Sequence, residues 1–176
     1  MKLHGAGAST FSDWWAYKYE VREAIPYNAC LLSQMGIVTA VNSDDAEMGR
    51  RLNQEASKAV KYGSCSEEEA IKLVTINPAK LLHINDRTGS LKVGKDADIV
   101  IWDNPPLSTY AKVEQTYVDG CLLFDTKQQT KLVKSNRAKR ASLINEMILA
   151  KKNGQPTRPI KLQKNKVHRC NDFEIE

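Results

Sequence analysis

Histidine is scarce in this chain of 176 residues, which has three: His4, His83 and His168. None falls in a His-x-His or His-Glu-x-x-His pattern, so the sequence carries no signature of a self-contained zinc site and each is a poor ligand candidate. Cysteine is scarce too, with Cys30, Cys65, Cys121 and Cys170 lying 35, 56 and 49 residues apart. No pair has metal-site or redox-motif spacing, and the four read as plain buried thiols rather than a disulfide framework. Long apolar runs are missing. Residues 24–43 carry no charge, but Pro26, Asn28, Ser33, Gln34, Gly36 and Asn42 interrupt them, which favours a soluble helix and a buried strand over a membrane span. Met1-Lys2-Leu3-His4 runs straight into small residues without the apolar core of a secretory signal, so a cytoplasmic location is the default expectation.

Length excludes more. A complete (β/α)8 barrel needs roughly 250 residues. This chain, 41% hydrophobic, can bury one modest core or a core fragment with appendages. Acid is lacking at one end only: residues 126–176 carry 13 Lys+Arg against 4 Asp+Glu, while residues 1–125 carry 13 against 17. The formal net charge of +5 is therefore a property of the tail and says little about the folded part.

What is present centres on Ile37-Val38-Thr39-Ala40-Val41-Asn42-Ser43-Asp44-Asp45. Residues 37–41 are apolar or β-branched without strict alternation, the pattern of a strand covered on both faces. Asn42 marks its carboxyl end, where α/β folds of parallel strands collect catalytic groups. One of Asp44 and Asp45 is expected to carry chemistry and the other to cap the helix that begins at Ala46.

Upstream, residues 5–11 look like the end of a truncated element. Ser12 or Asp13 caps a predicted helix through Trp14, Trp15, Tyr17 and Val21, and Pro26 suits the first turn of a second helix ending at Gly36. The Trp14-Trp15-Tyr17 cluster suits either a pocket wall or core packing, the commoner use. Downstream, residues 46–62 read as one amphipathic helix with Met48, Leu52, Ala56, Ala59 and Val60 on a stripe. Glu47 and Arg51 are spaced for an ion pair, and Arg50 and Arg51 lie within a turn or so of the carboxylates, on a face that suits solvent or an anionic group. Ser66-Glu67-Glu68-Glu69 is a capping box, and Asn77-Pro78 starts a short helix to about His83. From Gly89 the period changes. Ile99-Val100-Ile101-Trp102 is a short buried strand, and two strand-like runs, 113–118 and 121–124, flank an Asp119-Gly120 turn. Residues 126–150 read as one charged helix, broken by 154–159, and 161–169 as a solvated basic segment.

The order Asn42-Ser43-Asp44-Asp45-Ala46-Glu47-Met48, Asn77-Pro78-Ala79-Lys80, Gly89-Ser90-Leu91, Gly94-Lys95-Asp96-Ala97-Asp98 and Asp119-Gly120 resembles the C-terminal part of the amidohydrolase superfamily, and within it the imidazolonepropionase-like metal-dependent hydrolases. The resemblance spans about residues 5–125. It implies an α/β fold: the end of a (β/α)8 (TIM-type) barrel in residues 1–88, part of a small β-sandwich in 89–125, and a basic helical tail in 126–176. It also implies a hydrolase of carbon–nitrogen (non-peptide) bonds in small molecules. The strand-end aspartate of that family contacts one or two divalent metals, zinc first, and shuttles protons. Asp44, directly after the strand, is accordingly the expected catalytic and metal-facing carboxylate, with Asp45 as the cap. The family's His-x-His, its bridging Lys or Glu and its later histidines have no counterpart here, so the chain alone is expected to be inactive and to hold zinc weakly. The competing reading is a non-catalytic fragment whose basic tail binds nucleic acid or another anionic surface, non-specifically and salt-sensitively, without interleaved aromatics or a zinc or helix-turn-helix signature to make it specific.

Overall fold

The computed structural model describes residues 1–156 and 158. The basic segment 161–169, His168 and Cys170 lie outside them. The chain divides into two compact units, Met1–Thr130 and Lys131–Glu176. Unit 1 holds two sheets. In the first, β1 (Ala8–Thr10) pairs in parallel with β2 (Thr39–Val41), Ser9 opposite Ala40. Parallel strands need a crossover, and α1 (Asn28–Gln34) supplies it. Gly36, at φ 76°, turns the chain out of α1 toward β2. The run read as a strand from 37 is thus strand only over three residues, with Thr39, Ala40 and Val41 all buried.

Four helices follow β2: α2 (Ala46–Gly49), α3 (Leu52–Gly63), α4 (Glu67–Lys72) and α5 (Ile76–Leu81). The single helix expected over 46–62 is two, because the chain leaves helical geometry at Arg51, at φ −128°. That break moves Glu47 away from Arg51, and its ion pair forms with Arg50 instead. Ser66 caps α4 as expected, its hydroxyl accepting the Glu69 N–H at 3.1 Å. The core is small-residued: Ala29, Cys30, Val41, Ala59, Cys65 and Leu73 pack together under β2.

One feature of this core departs from the sequence reading. Cys30 and Cys65, expected as plain thiols, form a disulfide with Cα atoms 5.7 Å apart. Their spacing hid this because α1 and the end of α3 meet only through the tertiary fold. In the chain-entropy account, closing 35 residues this way stabilises the native state by about 4 kcal/mol. Another feature concerns the edges of β2. Successive peptide groups of a strand point to opposite edges. Asn42 N–H donates to Thr10 O on the β1 side, while on the other side Val41 N–H donates to Leu73 O at 3.0 Å and Asn77 Nδ2 to Thr39 O at 2.9 Å. The outer edge of β2 is therefore engaged by residues 73–77. Here lies the physical role of the Asn-Pro-Ala motif: Asn77 is buried and satisfies a strand carbonyl that has no water to turn to. Asn77→Ala should destabilise the chain by about 1–3 kcal/mol in urea unfolding. Asn77→Asp, which cannot donate, should be at least as damaging, and an unchanged midpoint for both would contradict the assignment.

The second sheet is antiparallel, β3 (Ile99–Trp102), β4 (Val113–Val118) and β5 (Cys121–Asp125) in that order. Asp119 and Gly120 both take positive φ, 49° and 76°, the backbone that a two-residue hairpin turn requires. The strand β3, expected to be buried, is not: Val100 and Ile101 are 44% and 40% exposed. The Gly-Lys-Asp-Ala-Asp motif is the staple of the loop before this sheet. Lys95 Nζ donates to the Asn85 and Thr88 carbonyls and the Ser90 hydroxyl, Arg87 pairs with Asp96 at 2.8 Å, and Asp98 accepts from Thr88 Oγ1 and Asp119 N–H. Gly89, at φ 82°, sits so close to α5 that a Cβ there would meet the Ala79 Cβ at 2.6 Å.

The charged helix expected over 126–150 is present as α6 (Thr126–Lys152). Asp125 caps it, accepting the N–H groups of Lys127 and Gln128 at 2.7 and 3.0 Å. The Gln115 side chain and then these amides hold the Asp125 carboxyl below its ordinary value. A depressed carboxylate contributes stability above its unfolded pKa and loses it as pH falls through the folded one. The amide signals of Lys127 and Gln128 should therefore titrate with a midpoint below that of an ordinary aspartate, and Asp125→Asn should remove the step. A midpoint at or above the ordinary value would contradict the cap.

Candidate active site

Both parallel strands end on the same side, so the segments after Thr10 and after Val41 share one mouth. Asn42 ties them, its Nδ2 donating to Ser9 Oγ at 2.7 Å. The two aspartates then separate in role. Asp45 sits in extended geometry and its Oδ1 accepts the N–H groups of Glu47 and Met48 at 2.8 and 3.0 Å, the N-cap of α2. Ser43 Oγ accepts the Asp45 N–H and braces the same turn. Asp44 is exposed at the end of β2, and none of the described residues donates a hydrogen bond to its carboxylate. Of the two, Asp44 is the carboxylate whose acceptor capacity the fold does not use.

The segment after β1 is not the capped helix that the sequence suggested. Residues 14–17 form a turn, followed by one short 3-10 turn, Tyr19–Val21. Ser12 and Asp13 point elsewhere, to a polar cluster with α3. Ser12 Oγ hydrogen-bonds Glu55 Oε2, and Lys58 Nζ donates to Asp13 Oδ2 at 2.8 Å, Glu55 Oε2 at 2.8 Å and Ser12 Oγ at 3.2 Å. Burial works to lower the Lys58 pKa, but the hydrogen bonds and charges of Asp13 and Glu55 outweigh it and the ammonium ends above its ordinary value. Glu55 and Lys58 were not singled out from sequence. The available signal was a lone acid beside Ala56 and Ala59 on an apolar helical stripe.

Nor are the aromatics core. Trp15 and Tyr17 are 54% and 61% exposed. Phe11 stacks on Trp14 with ring centroids 4.5 Å apart, Tyr17 meets Trp14 edge-on at 5.5 Å, and Trp14 Nε1 donates to Met48 Sδ at 3.3 Å. The rings thus stand against α2, whose cap adjoins Asp44. Arg50 faces its own helix partner Glu47 and solvent.

A sizeable groove lies elsewhere. It holds about 690 Å³ and is lined mainly by apolar side chains, among them Leu52, Val74, Leu82, Val100 and Trp102, and Asp44 does not line it. Its acids Asp96 and Asp98 are engaged in the loop staple. Among the described residues no three of His, Cys, Asp and Glu come close enough to hold a metal ion. Asp44 is one donor where a site takes three or more, so these residues do not by themselves fit a metal. No helix among them is long and apolar enough to cross a membrane.

Residues 22–137 match the amidohydrolase family. The chain belongs to that family. The match runs through β2, the Asp44 turn, the Asn-Pro-Ala helix and the three-stranded sheet. Among relatives, the chain is 34% identical over 116 residues to the amidohydrolase tasK of Hapsidospora irregularis, covering 65% of this chain and 12% of that protein. It is 39% identical over 83 residues to the imidazolonepropionase of Thermoplasma volcanium, covering 42% of this chain and 20% of that one. A crystal structure of an amidohydrolase from Thermotoga maritima superposes with a TM-score of 0.57 at 33% identity, over 66% of this chain and 29% of that one. The chain thus spans a fifth or less of the length of these two relatives and under a third of the solved structure. The amidohydrolase family typically depends on divalent metals.

Proposed function

We propose that this chain forms the C-terminal part of a metal-dependent hydrolase of carbon–nitrogen (non-peptide) bonds in small molecules, with Asp44 as its catalytic carboxylate. The observation that carries the reading is the exposed Asp44 at the carboxyl end of a buried parallel strand, in a chain of the amidohydrolase family. In that position a carboxylate takes a proton from the attacking water and later returns it to the leaving nitrogen. Asp45 Oδ1 is occupied by the first amides of α2, which favours Asp44 for the task.

In this reading β1 and β2 are the last two strands of a (β/α)8 barrel and β3–β5 are part of a small sandwich. A divalent metal, zinc first and one or two ions, would take Asp44 as one ligand and its other ligands from outside the described residues. Completing the barrel at β2 requires the Leu73 and Asn77 contacts on its outer edge to give way to, or fit beside, a further strand. The test is a chimera joining the upstream part of the Thermotoga maritima amidohydrolase to this chain. Loaded with zinc, it should turn over carbon–nitrogen substrates that the parent accepts. A folded, metal-loaded chimera with no turnover above a zinc blank would overturn the reading.

A further inference from the structure

We propose that Lys58 and Glu55 of α3 are positioning residues that clamp the aromatic segment 11–17 at the mouth of the β1–β2 pair, where its rings form a wall for the substrate of the Asp44 site. The wall's use rests on the function proposed above, whereas the clamp itself does not. Within residues 11–21 only Ser12 is buried, with Phe11, Trp14 and Val21 half-buried, so apolar packing alone does not set the direction of this segment. Polar contacts add that direction. Ser12 and Asp13 are held by Lys58 and Glu55. The next residue, Trp14, is held through its indole N–H by Met48. The two anchors stand on α3 and α2, the helices that follow the Asp44 turn, and together they fix Trp14, on which Phe11 stacks and which Tyr17 meets edge-on.

The cluster is an uneconomical way to hold two elements together. The side chains of Lys58 and Glu55 are 23% and 9% exposed, and desolvating such a pair consumes most of the attraction it gains, so an apolar pair of similar size is often as stable or more so. What charges supply that methyl groups do not is direction. Lys58 contacts three oxygens at once, Asp13 Oδ2, Glu55 Oε2 and Ser12 Oγ, and so sets the position of the backbone from which Trp14 departs. Trp15 and Tyr17, exposed around Trp14, offer flat faces on which a ring or another planar group of a substrate can pack.

The experiment reads Trp14 in the full chain, with Trp15→Phe and Trp102→Phe making it the sole indole. Lys58→Met should red-shift its emission and remove its protection from acrylamide, without loss of the far-UV helix signal, and Lys58→Arg should restore both. A simple stability role would not separate Met from Arg in this way. If Lys58→Met loses the helix signal, Asp13→Asn at the exposed side of the cluster takes its place, with the same red shift expected. Trp14 emission and quenching unchanged in the folded variant would overturn the clamp. In the active chimera, Lys58→Met should then lower kcat/KM by roughly tenfold, mostly through KM. An unchanged KM alongside a shifted Trp14 would leave the clamp standing and overturn the wall. An inactive chimera would bear on the proposed function alone.

Discussion

Asp44→Asn in the zinc-loaded chimera is expected to lower kcat by roughly 10²–10⁴-fold, the usual contribution of a positioned general acid–base. The substitution keeps the size of the side chain and removes the group that accepts a proton. Because Asp44 is exposed and no described residue donates to its carboxylate, the fold has little to lose, and stability should stay within about 0.5 kcal/mol. Asp45 should behave in the opposite way. Asparagine caps a helix about as well as aspartate, so Asp45→Asn should be nearly silent in both assays, while Asp45→Ala should cost about 1 kcal/mol of stability through the lost cap of α2. The pair is thereby separated by two independent readouts. Turnover retained by Asp44→Asn and lost by Asp45→Asn would reverse the assignment.

Legibility followed range. Features set by neighbours in sequence were readable: the Ser66 cap, the Asp119-Gly120 turn with its two positive φ values, the strand Ile99–Trp102, and Asp44 and Asp45 after the buried strand. The motif order that identified the family was readable too, although the reason for each motif was not. That Asn77 donates to a carbonyl of β2, or that Lys95 gathers two carbonyls and a hydroxyl, depends on chain segments 38 and up to ten residues away. Features made only by tertiary contact were missed or misread. The Cys30–Cys65 bridge looked like two unrelated thiols, Ser12 and Asp13 looked like helix caps, and Glu55 and Lys58 were not singled out. The short β1 was visible only as the end of an element, because Ala8, Ser9 and Thr10 carry almost no strand pattern and become a strand through pairing with β2.

The second large effect concerns metal. A complete structural zinc site holds its ion by roughly 10–16 kcal/mol. Such a site needs several donors converging on one point, and among the described residues no three of His, Cys, Asp and Glu do so, with Asp45 turned to its helix. The chain alone should therefore hold zinc no better than a peptide with scattered acids. It should also bind hydrophobic dyes, because Leu82, Leu91 and Leu123 are exposed at 68%, 77% and 69%. In the chimera, dye binding should fall and metal binding should rise together, since one added body of residues supplies both the cover and the missing ligands.

Zinc titration of the isolated chain, the chimera and the chimera carrying Asp44→Asn, run side by side by calorimetry, tests this account most directly. It predicts no stoichiometric binding by the isolated chain, stoichiometric binding by the chimera, and a clear loss of affinity when Asp44 becomes asparagine. One zinc per isolated chain at micromolar concentration, or a chimera indifferent to Asp44→Asn, would contradict it.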